Sequence, residues 1–168
     1  RLRRRIAQLE GTAGKTNYSP TVSHDQSYHN DIKERTEEYL YKTLQQKYPN
    51  KIVVWLNYDE QANKFKEDYQ QHDFEIQNAD GEVLHYIDCK GTPAQKRTFY
   101  LTDHEWNFFL NCTQRGDSYQ IYTVYSMNSL PQHVFIDDLW EWLELGKVVP
   151  YLSKAETLRG GRVFLTLY

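Results

Sequence analysis

The chain has 168 residues and a mass of 20.1 kDa, a length that fits one domain, or one domain with a tail, because single cores usually occupy about 100–200 residues. Its 20 Lys and Arg against 23 Asp and Glu give a formal net charge of −3, which excludes attraction to a polyanion through total charge, so that any nucleic-acid contact must use a local patch. With 39% hydrophobic and 15% aromatic residues, collagen-like and wholly disordered classes are excluded as well.

The cysteines and the apolar runs indicate the compartment. Cys89 and Cys112 form neither a disulfide framework nor a Cys-x-x-Cys zinc pattern. No run approaches the roughly 18 apolar residues of a membrane span, and the N-terminus lacks the apolar stretch of a signal peptide. We therefore expect no membrane contact and an intracellular protein, nuclear or cytoplasmic. The first residue is Arg rather than Met, which suggests a piece of a larger parent protein.

The N-terminal part is predicted to precede the domain. Residues 1–10 have apolar positions at helical spacing among four arginines, and residues 11–27 contain almost nothing that packs, so we interpret residues 1–27 as a basic helical end and a flexible linker. The domain is expected over residues 28–168, with a core over about 28–127 and a C-terminal extension over 128–168.

Local signals predict the elements of this domain in order. A helix is expected from Asn30 to Tyr48, with Asn30 or Asp31 as the cap and Pro49 as the stop. A strand over 51–57 is followed by a loop or short excursion. The segments 72–78 and 82–90, separated by an Asp-Gly pair, indicate an antiparallel hairpin.

Local signals also predict alternating strands and helices in the second half of the domain. A strand over 98–101 precedes a helix that begins at Thr102, where Glu105 completes a capping box, and continues to about Cys112. A strand over 118–127, a short helix over 136–145 and a terminal strand follow. The fold class predicted is α/β: a mixed central sheet flanked by the two longer helices, with the C-terminal elements at one edge.

The hairpin carries the residues with the clearest chemistry. Asp73 and Glu75 are predicted on one face of its first strand, and Asp88 and Lys90 on one face of its second, because side chains alternate along a strand. Carboxylates so placed can hold a divalent ion, with the lysine near the metal-activated water. The alternative is a solvated hairpin face with cross-strand ion pairs, which is the commoner meaning of Asp-x-Lys.

The order of these blocks resembles a known family. YHNDIKERTEEYLYKTL, VVWLN, HDFEI, HYIDCKGT, FYLTDHEWNFF and DSYQIYTVYSM are similar to successive blocks of the domain found at the C-terminus of the plant NO VEIN protein, a branch of the PD-(D/E)XK nuclease superfamily. The resemblance covers about residues 28–127 and, more loosely, FIDDLWEWLELGKVVP. It implies a restriction-endonuclease-like core.

The resemblance also implies roles for individual residues. Asp73 and Asp88 correspond to the metal-binding acids, Glu37 to the helix glutamate that assists them, and Lys90 to the catalytic lysine, with Mg²⁺ or Mn²⁺ as the cofactor. Glu105 and Trp106 correspond to the block that opens the second helix. The chain departs from the pattern in having Asp-Cys-Lys where the family has Glu-Val-Lys, and His72 where an aromatic residue is commoner.

Two function classes therefore stay open. In the first, the chain is a metal-dependent nuclease acting on DNA or RNA, with Lys96 and Arg97 as weaker candidates for phosphate contacts. In the second, the same fold is a catalytically inactive module that binds nucleic acid or another part of a larger protein, since domains of this branch occur appended to ATPase or helicase-like proteins. His72 adjoins Asp73 and is a candidate metal neighbour, although a hydrogen-bonded histidine is the simpler interpretation.

Overall fold

The chain folds as alternating helices and strands, seen in a computed structural model that describes residues 24–66, 70–92, 98–150 and 162–168. In chain order, its elements are α1 (His24–Lys47), β1 (Ile52–Trp55), β2 (Tyr58–Asp59), β3 (Lys64–Phe65), β4 (Phe74–Gln77), β5 (Val83–Gly91), β6 (Thr98–Thr102), α2 (Asp103–Arg115), β7 (Tyr119–Tyr125), β8 (Gln132–Ile136), α3 (Leu139–Glu144), β9 (Val148–Pro150) and β10 (Arg162–Leu167).

Five strands form the central sheet, in the order β1-β4-β5-β7-β8. The pair β5–β7 is parallel and the other three pairs are antiparallel, so the sheet is mixed and the predicted α/β class is confirmed. The hairpin β4–β5 turns through Gly81, whose φ of 82° lies in the left-handed region that glycine adopts without steric cost. The Asp-Gly signal thus located the turn correctly.

The C-terminal strands are divided between two sheets. Strand β8 forms the edge of the central sheet beside β7, whereas β9 and β10 join β6 in a second sheet with the order β6-β10-β9. The sequence pattern did not predict this second sheet. The polar stretch after β1, expected as a loop or short excursion, contains the two-residue strands β2 and β3 paired with each other.

The hydrophobic core lies on both faces of the central sheet. On the α1 side, Leu40 and Leu44 pack against Phe74, Ile87 and Tyr122. On the other side, the largest cluster joins α2, β7, α3 and the second sheet, and includes Leu101, Phe109, Ile121, Ile136 and Leu165. Both flanking helices were expected, and the sheet between them gives each an apolar surface to cover.

Helix boundaries differ from the sequence signals. Helix α1 already includes His24, so Asn30 and Asp31 lie inside it rather than at its cap, and residues 24–27 are helical rather than part of a connector. Extending an existing helix avoids the cost of nucleation, which explains why these polar residues are helical. Helix α2 continues beyond Cys112 to Arg115 and ends at Gly116, with φ 76°. The helix predicted over residues 1–10 and most of the linker lie outside the described residues.

Candidate functional site

Backbone pairing fixes Asp73 at the entrance to the hairpin. Its amide donates to the carbonyl of Ile87 at 2.9 Å, and its carbonyl accepts from the amide of Leu56 at 2.9 Å. The side chain then turns toward β5, where Oδ2 accepts from the amide of Cys89 at 2.7 Å. Asp73 is thereby attached to both neighbouring strands and held next to Asp88 and Lys90.

Asp88 and Lys90 share one face of β5, as the alternation predicted. Lys90 Nζ lies 2.9 Å from Asp88 Oδ2 and 2.9 Å from Glu105 Oε1. The other oxygen of Glu105 accepts from the amide of Thr102 at 2.7 Å, while the Thr102 hydroxyl accepts from the amide of Glu105. Glu105 therefore caps α2 and at the same time pairs with Lys90, so the helix and the hairpin are joined through this carboxylate.

Glu37 reaches the same region from α1 and is only 1% exposed. Its Oε2 accepts from Trp55 Nε1 at 2.8 Å and from Asn57 Nδ2 at 3.2 Å. The same Asn57 nitrogen donates to Asp73 Oδ1 at 2.7 Å. One amide group consequently connects the helix glutamate to the first acid of the hairpin.

The sequence interpretation did not identify Trp55 and Asn57 as site residues. Both belong to the segment VVWLN, which was assigned only as a strand. A signal was present, because an asparagine at the end of an apolar strand must find hydrogen-bond partners if it is buried. Asn57 is 5% exposed, and its partners are the two carboxylates.

Helix α1 approaches β5 closely at Gly91. A Cβ atom at Gly91 would lie 2.8 Å from both Cβ and Cγ2 of Thr36, the residue before Glu37, and closer still to Oγ1 of Thr36. Such a separation is shorter than carbon atoms tolerate, so only glycine fits here without displacing the helix. Gly91, directly after Lys90, thus sets the distance between the Glu37 helix and the strand that carries Asp88.

Burial dominates the electrostatics of the three acids. It raises the pKa of Glu37 and that of Asp73, which Glu37 raises further. Burial also raises the pKa of Asp88 to about 6, with Lys90 opposing and Asp73 adding to this effect. Three carboxylates therefore share a poorly solvated region where a positive charge would favour their ionised forms.

The pKa of Lys90 is decided by its charged neighbours rather than by burial. Burial alone would lower the pKa of Lys90, but Asp88, Glu105 and Asp73 outweigh it and hold that pKa above its ordinary value. The ammonium group therefore stays protonated at neutral pH. It acts as a fixed positive charge and hydrogen-bond donor rather than as a proton acceptor.

Two hydroxyl groups extend this face of the sheet onto β7. Tyr119 and Thr123 pair in parallel register with Tyr86 and Lys90, which places them on the same face as Asp88. The Tyr119 hydroxyl interacts with Asp88, and Asp88 Oδ2 is ion-paired with Lys90, whereas Thr123 Oγ1 is buried without a hydrogen-bond partner among the described residues. A buried hydroxyl group beside the Asp88–Lys90 pair can therefore still form a hydrogen bond.

The site residues lie within the part of the chain that comparison with protein families identifies. The model of the family described as "Protein NO VEIN, C-terminal" matches residues 36–136. The chain belongs to this family. No curated protein and no solved structure matches it.

Within the NO VEIN C-terminal match, the structure brings Glu37, Asp73, Asp88 and Lys90 into one connected network and adds Asn57 and Glu105 to it. Other expected neighbours are not part of it. Glu75 does not join Asp73, because its carboxylate bonds His72 Nε2 at 3.0 Å and Gln77 Nε2 at 2.6 Å. His72 also stacks on Phe108, with ring centroids 4.9 Å apart, in agreement with the simpler interpretation of this histidine. Lys96 and Arg97 lie outside the described residues.

The donor set can be compared with the needs of a divalent cation. Carboxylate oxygens are the ligands that Mg²⁺ and Mn²⁺ prefer, and the excess of buried acids over lysine leaves negative charge for a cation to neutralise. In the part of the chain that the structure describes, however, no group of three or more His, Cys, Asp or Glu side chains is arranged as a metal cage. The donors that this face of the described structure offers to a cation are thus the carboxylates of Asp73 and Asp88, rather than a cage of three side chains.

Proposed function

We propose that this NO VEIN C-terminal domain is a metal-dependent nuclease of the PD-(D/E)XK type, which hydrolyses phosphodiester bonds in nucleic acid. The observation that carries the proposal is the convergence of Asp73, Asp88 and Lys90 on one hairpin, with Glu37 joined to them through Asn57. These are the residue types, in the chain order, that the superfamily pattern requires.

Asp73 and Asp88 would hold the cation, Mg²⁺ or Mn²⁺. Glu37, kept in place by Trp55 and Asn57, would assist them across a water molecule. The cation would supply neutralisation of the charge that develops on the scissile phosphate. The residues of the chain would supply the fixed negative charges that hold this cation beside the substrate.

Lys90 has a defined part in this proposal. Because it remains protonated between Asp88 and Glu105, it positions the attacking water or a phosphate oxygen by donating a hydrogen bond. Preorganised charges of this kind stabilise a transition state without reorganisation during the reaction. The capping box holds Glu105, and through it the orientation of Lys90.

A second candidate function rests on a different observation. Both oxygens of Asp73 and both of Glu37 already accept hydrogen bonds, and Lys90 compensates Asp88 and Glu105. A network satisfied in this way can serve an inactive module that binds nucleic acid or the rest of a larger ATPase or helicase-like parent. Cation binding separates the two candidates.

Titration calorimetry with Mn²⁺ tests the proposal. We expect the unaltered chain to bind Mn²⁺ and Asp88→Asn or Asp73→Asn to bind it at least about tenfold more weakly, a loss typical of altered metal sites. Glu75→Gln is the matched control, since it removes a carboxylate from the same hairpin without touching the network. Equal affinity in Asp88→Asn, or no binding by the unaltered chain, would favour the inactive module.

A further inference from the structure

The second sheet has an outward face next to the acid–lysine site. Along β6, Phe99 and Leu101 are buried in the core, whereas Tyr100 between them is 38% exposed. On β10, Phe164 is the register partner of Tyr100, and the two ring centroids are 5.7 Å apart. Neighbouring aromatic rings therefore lie side by side on the face of the sheet that turns away from the core.

Positive charge lies against these rings. The Arg162 guanidinium is 4.4 Å from the centroid of the Tyr100 ring, a contact that orients the guanidinium. Arg162 is exposed, and no carboxylate among the described residues forms a salt bridge with it. Within the described residues no carboxylate therefore neutralises its charge, in a chain whose formal net charge is −3.

The same ring also connects this face to the proposed active site. Lys90 Nζ lies 6.0 Å from the Tyr100 ring centroid and 2.9 Å from Asp88 Oδ2. The outward face therefore borders Lys90, whose side chain is 15% exposed. The contact with Lys90 and an exposed arginine that no described carboxylate neutralises distinguish this surface from an isolated exposed aromatic residue.

We propose that the face formed by Tyr100, Phe164 and Arg162 is a binding surface for single-stranded nucleic acid, an inference that rests on the proposed function for the choice of polymer. Arg162 contacts phosphate, and the rings accept an unpaired base by stacking. Bases inside a duplex are stacked on each other and do not present their faces to a protein, so the surface discriminates in favour of single strands.

The test is fluorescence anisotropy with labelled single-stranded DNA, single-stranded RNA and duplex DNA of one length. The measurements are made in chelator, so that binding is measured without cleavage. We expect Tyr100→Ala and Arg162→Ala each to weaken single-strand binding by about fivefold or more, the lower end of what loss of one stacked base costs. Tyr100→Leu keeps an apolar side chain but lacks the flat ring, and should weaken binding as well.

Matched controls remove the same residue types elsewhere. Trp140→Ala removes an exposed aromatic residue of α3, and Arg115→Ala removes the arginine that pairs with Asp117; both should bind as the unaltered chain does. Thermal melting of every variant shows whether the fold is kept. Unchanged affinity in folded Tyr100→Ala and Arg162→Ala, stronger binding of duplex than of single strands, or no nucleic-acid binding would each overturn the inference.

The outcomes separate this surface from the hydrolytic proposal. Mn²⁺ binding and cleavage with unchanged affinity in Tyr100→Ala would overturn the surface alone. Single-strand binding that depends on Tyr100 and Arg162, without any cleavage or Mn²⁺ binding, would establish the surface and overturn hydrolysis.

Discussion

At the scale of single residues, Asn57 is the link that holds the acids of the site together. Its amide nitrogen donates to Glu37 of α1 and to Asp73 at the start of the hairpin. Among the described residues, no side-chain hydrogen bond joins this helix and this hairpin directly. An amide can do this because it is neutral and offers donors. A carboxylate of nearly the same shape offers neither property.

Asn57→Asp should therefore lower the free energy of unfolding, by about 3 kcal/mol, because it places another buried charge against Glu37 and Asp73 and removes their donor. Urea unfolding at neutral pH measures the loss. Asn50→Asp, the same change at an exposed position, is the control and should cost little. Equal stability of the two variants would show that Asn57 does not join the acids.

The protonation of Asp88 makes stability depend on pH. Its pKa is raised from 3.8 to about 6, chiefly by burial, so between these values the folded chain binds more protons than the unfolded chain. Stability contributed by this group is present below about pH 4 and is lost as the pH rises through about 6. Two histidines act in the opposite direction, since burial lowers the pKa of His85 and of His133.

A difference measurement isolates the contribution of Asp88. The free energy of unfolding of the unaltered chain minus that of Asp88→Asn should fall by about 1–3 kcal/mol from pH 4 to pH 7. Denaturant unfolding at several pH values gives this difference, and Asp80→Asn on the exposed β4–β5 turn corrects for the general loss of a negative charge. A difference that rises over the window would contradict the raised pKa.

At the scale of elements, the contact of α1 with β5 decides where Glu37 lies. Gly91 and Thr36 meet without space for a further atom, so the helix rests on the strand end that follows Lys90. The position of the helix glutamate is thus determined by a backbone contact, beyond the hydrogen bonds of its own side chain.

Gly91→Ala should consequently destabilise the chain by about 1–3 kcal/mol, the usual cost of inserting an atom into a filled space. Thr36→Ala in the same chain should recover part of this loss, because two of the three obstructing atoms disappear with its hydroxyl and methyl groups. A double-mutant cycle from thermal or urea unfolding gives the coupling. Strictly additive effects would mean that the two residues do not meet.

Local signals in the sequence suffice for some elements and not for others. The Asp-Gly turn and the Thr102 capping box involve residues close in sequence, and both are present. Strand β9 is only three residues long and contains a proline, and its pairing depends on β10, far along the chain. Such strands are defined by their partners rather than by their own composition.

The same distinction applies to the site. Alternation along one strand was enough to place Asp88 beside Lys90, because both belong to β5. It also placed Glu75 on this face, as the register partner of Tyr86, but it could not show that the Glu75 carboxylate pairs with His72 and Gln77 instead of joining Asp73. The function of Asn57 and the second role of Glu105 depend on contacts between elements distant in sequence, which spacing alone does not show.

At the scale of the whole molecule, the central sheet separates two hydrophobic clusters and carries the acids where α1, the hairpin and α2 meet. The net charge is negative, so nucleic acid is expected to bind only through local positive groups such as Arg162 and Lys90. The second sheet, formed by β6 with the C-terminal strands, places the aromatic surface next to the acids. No helix of the described residues is long and apolar enough to cross a membrane.

The central claim is that this arrangement hydrolyses phosphodiester bonds. The most direct measurement is cleavage of labelled single-stranded DNA, double-stranded DNA and RNA with Mg²⁺ or Mn²⁺, comparing the unaltered chain with Asp88→Asn and with the Glu75→Gln control. We predict cleavage that requires the divalent cation, falls to background in Asp88→Asn and persists in Glu75→Gln. Equal cleavage by Asp88→Asn, or no cleavage of any substrate by the unaltered chain, would contradict the claim.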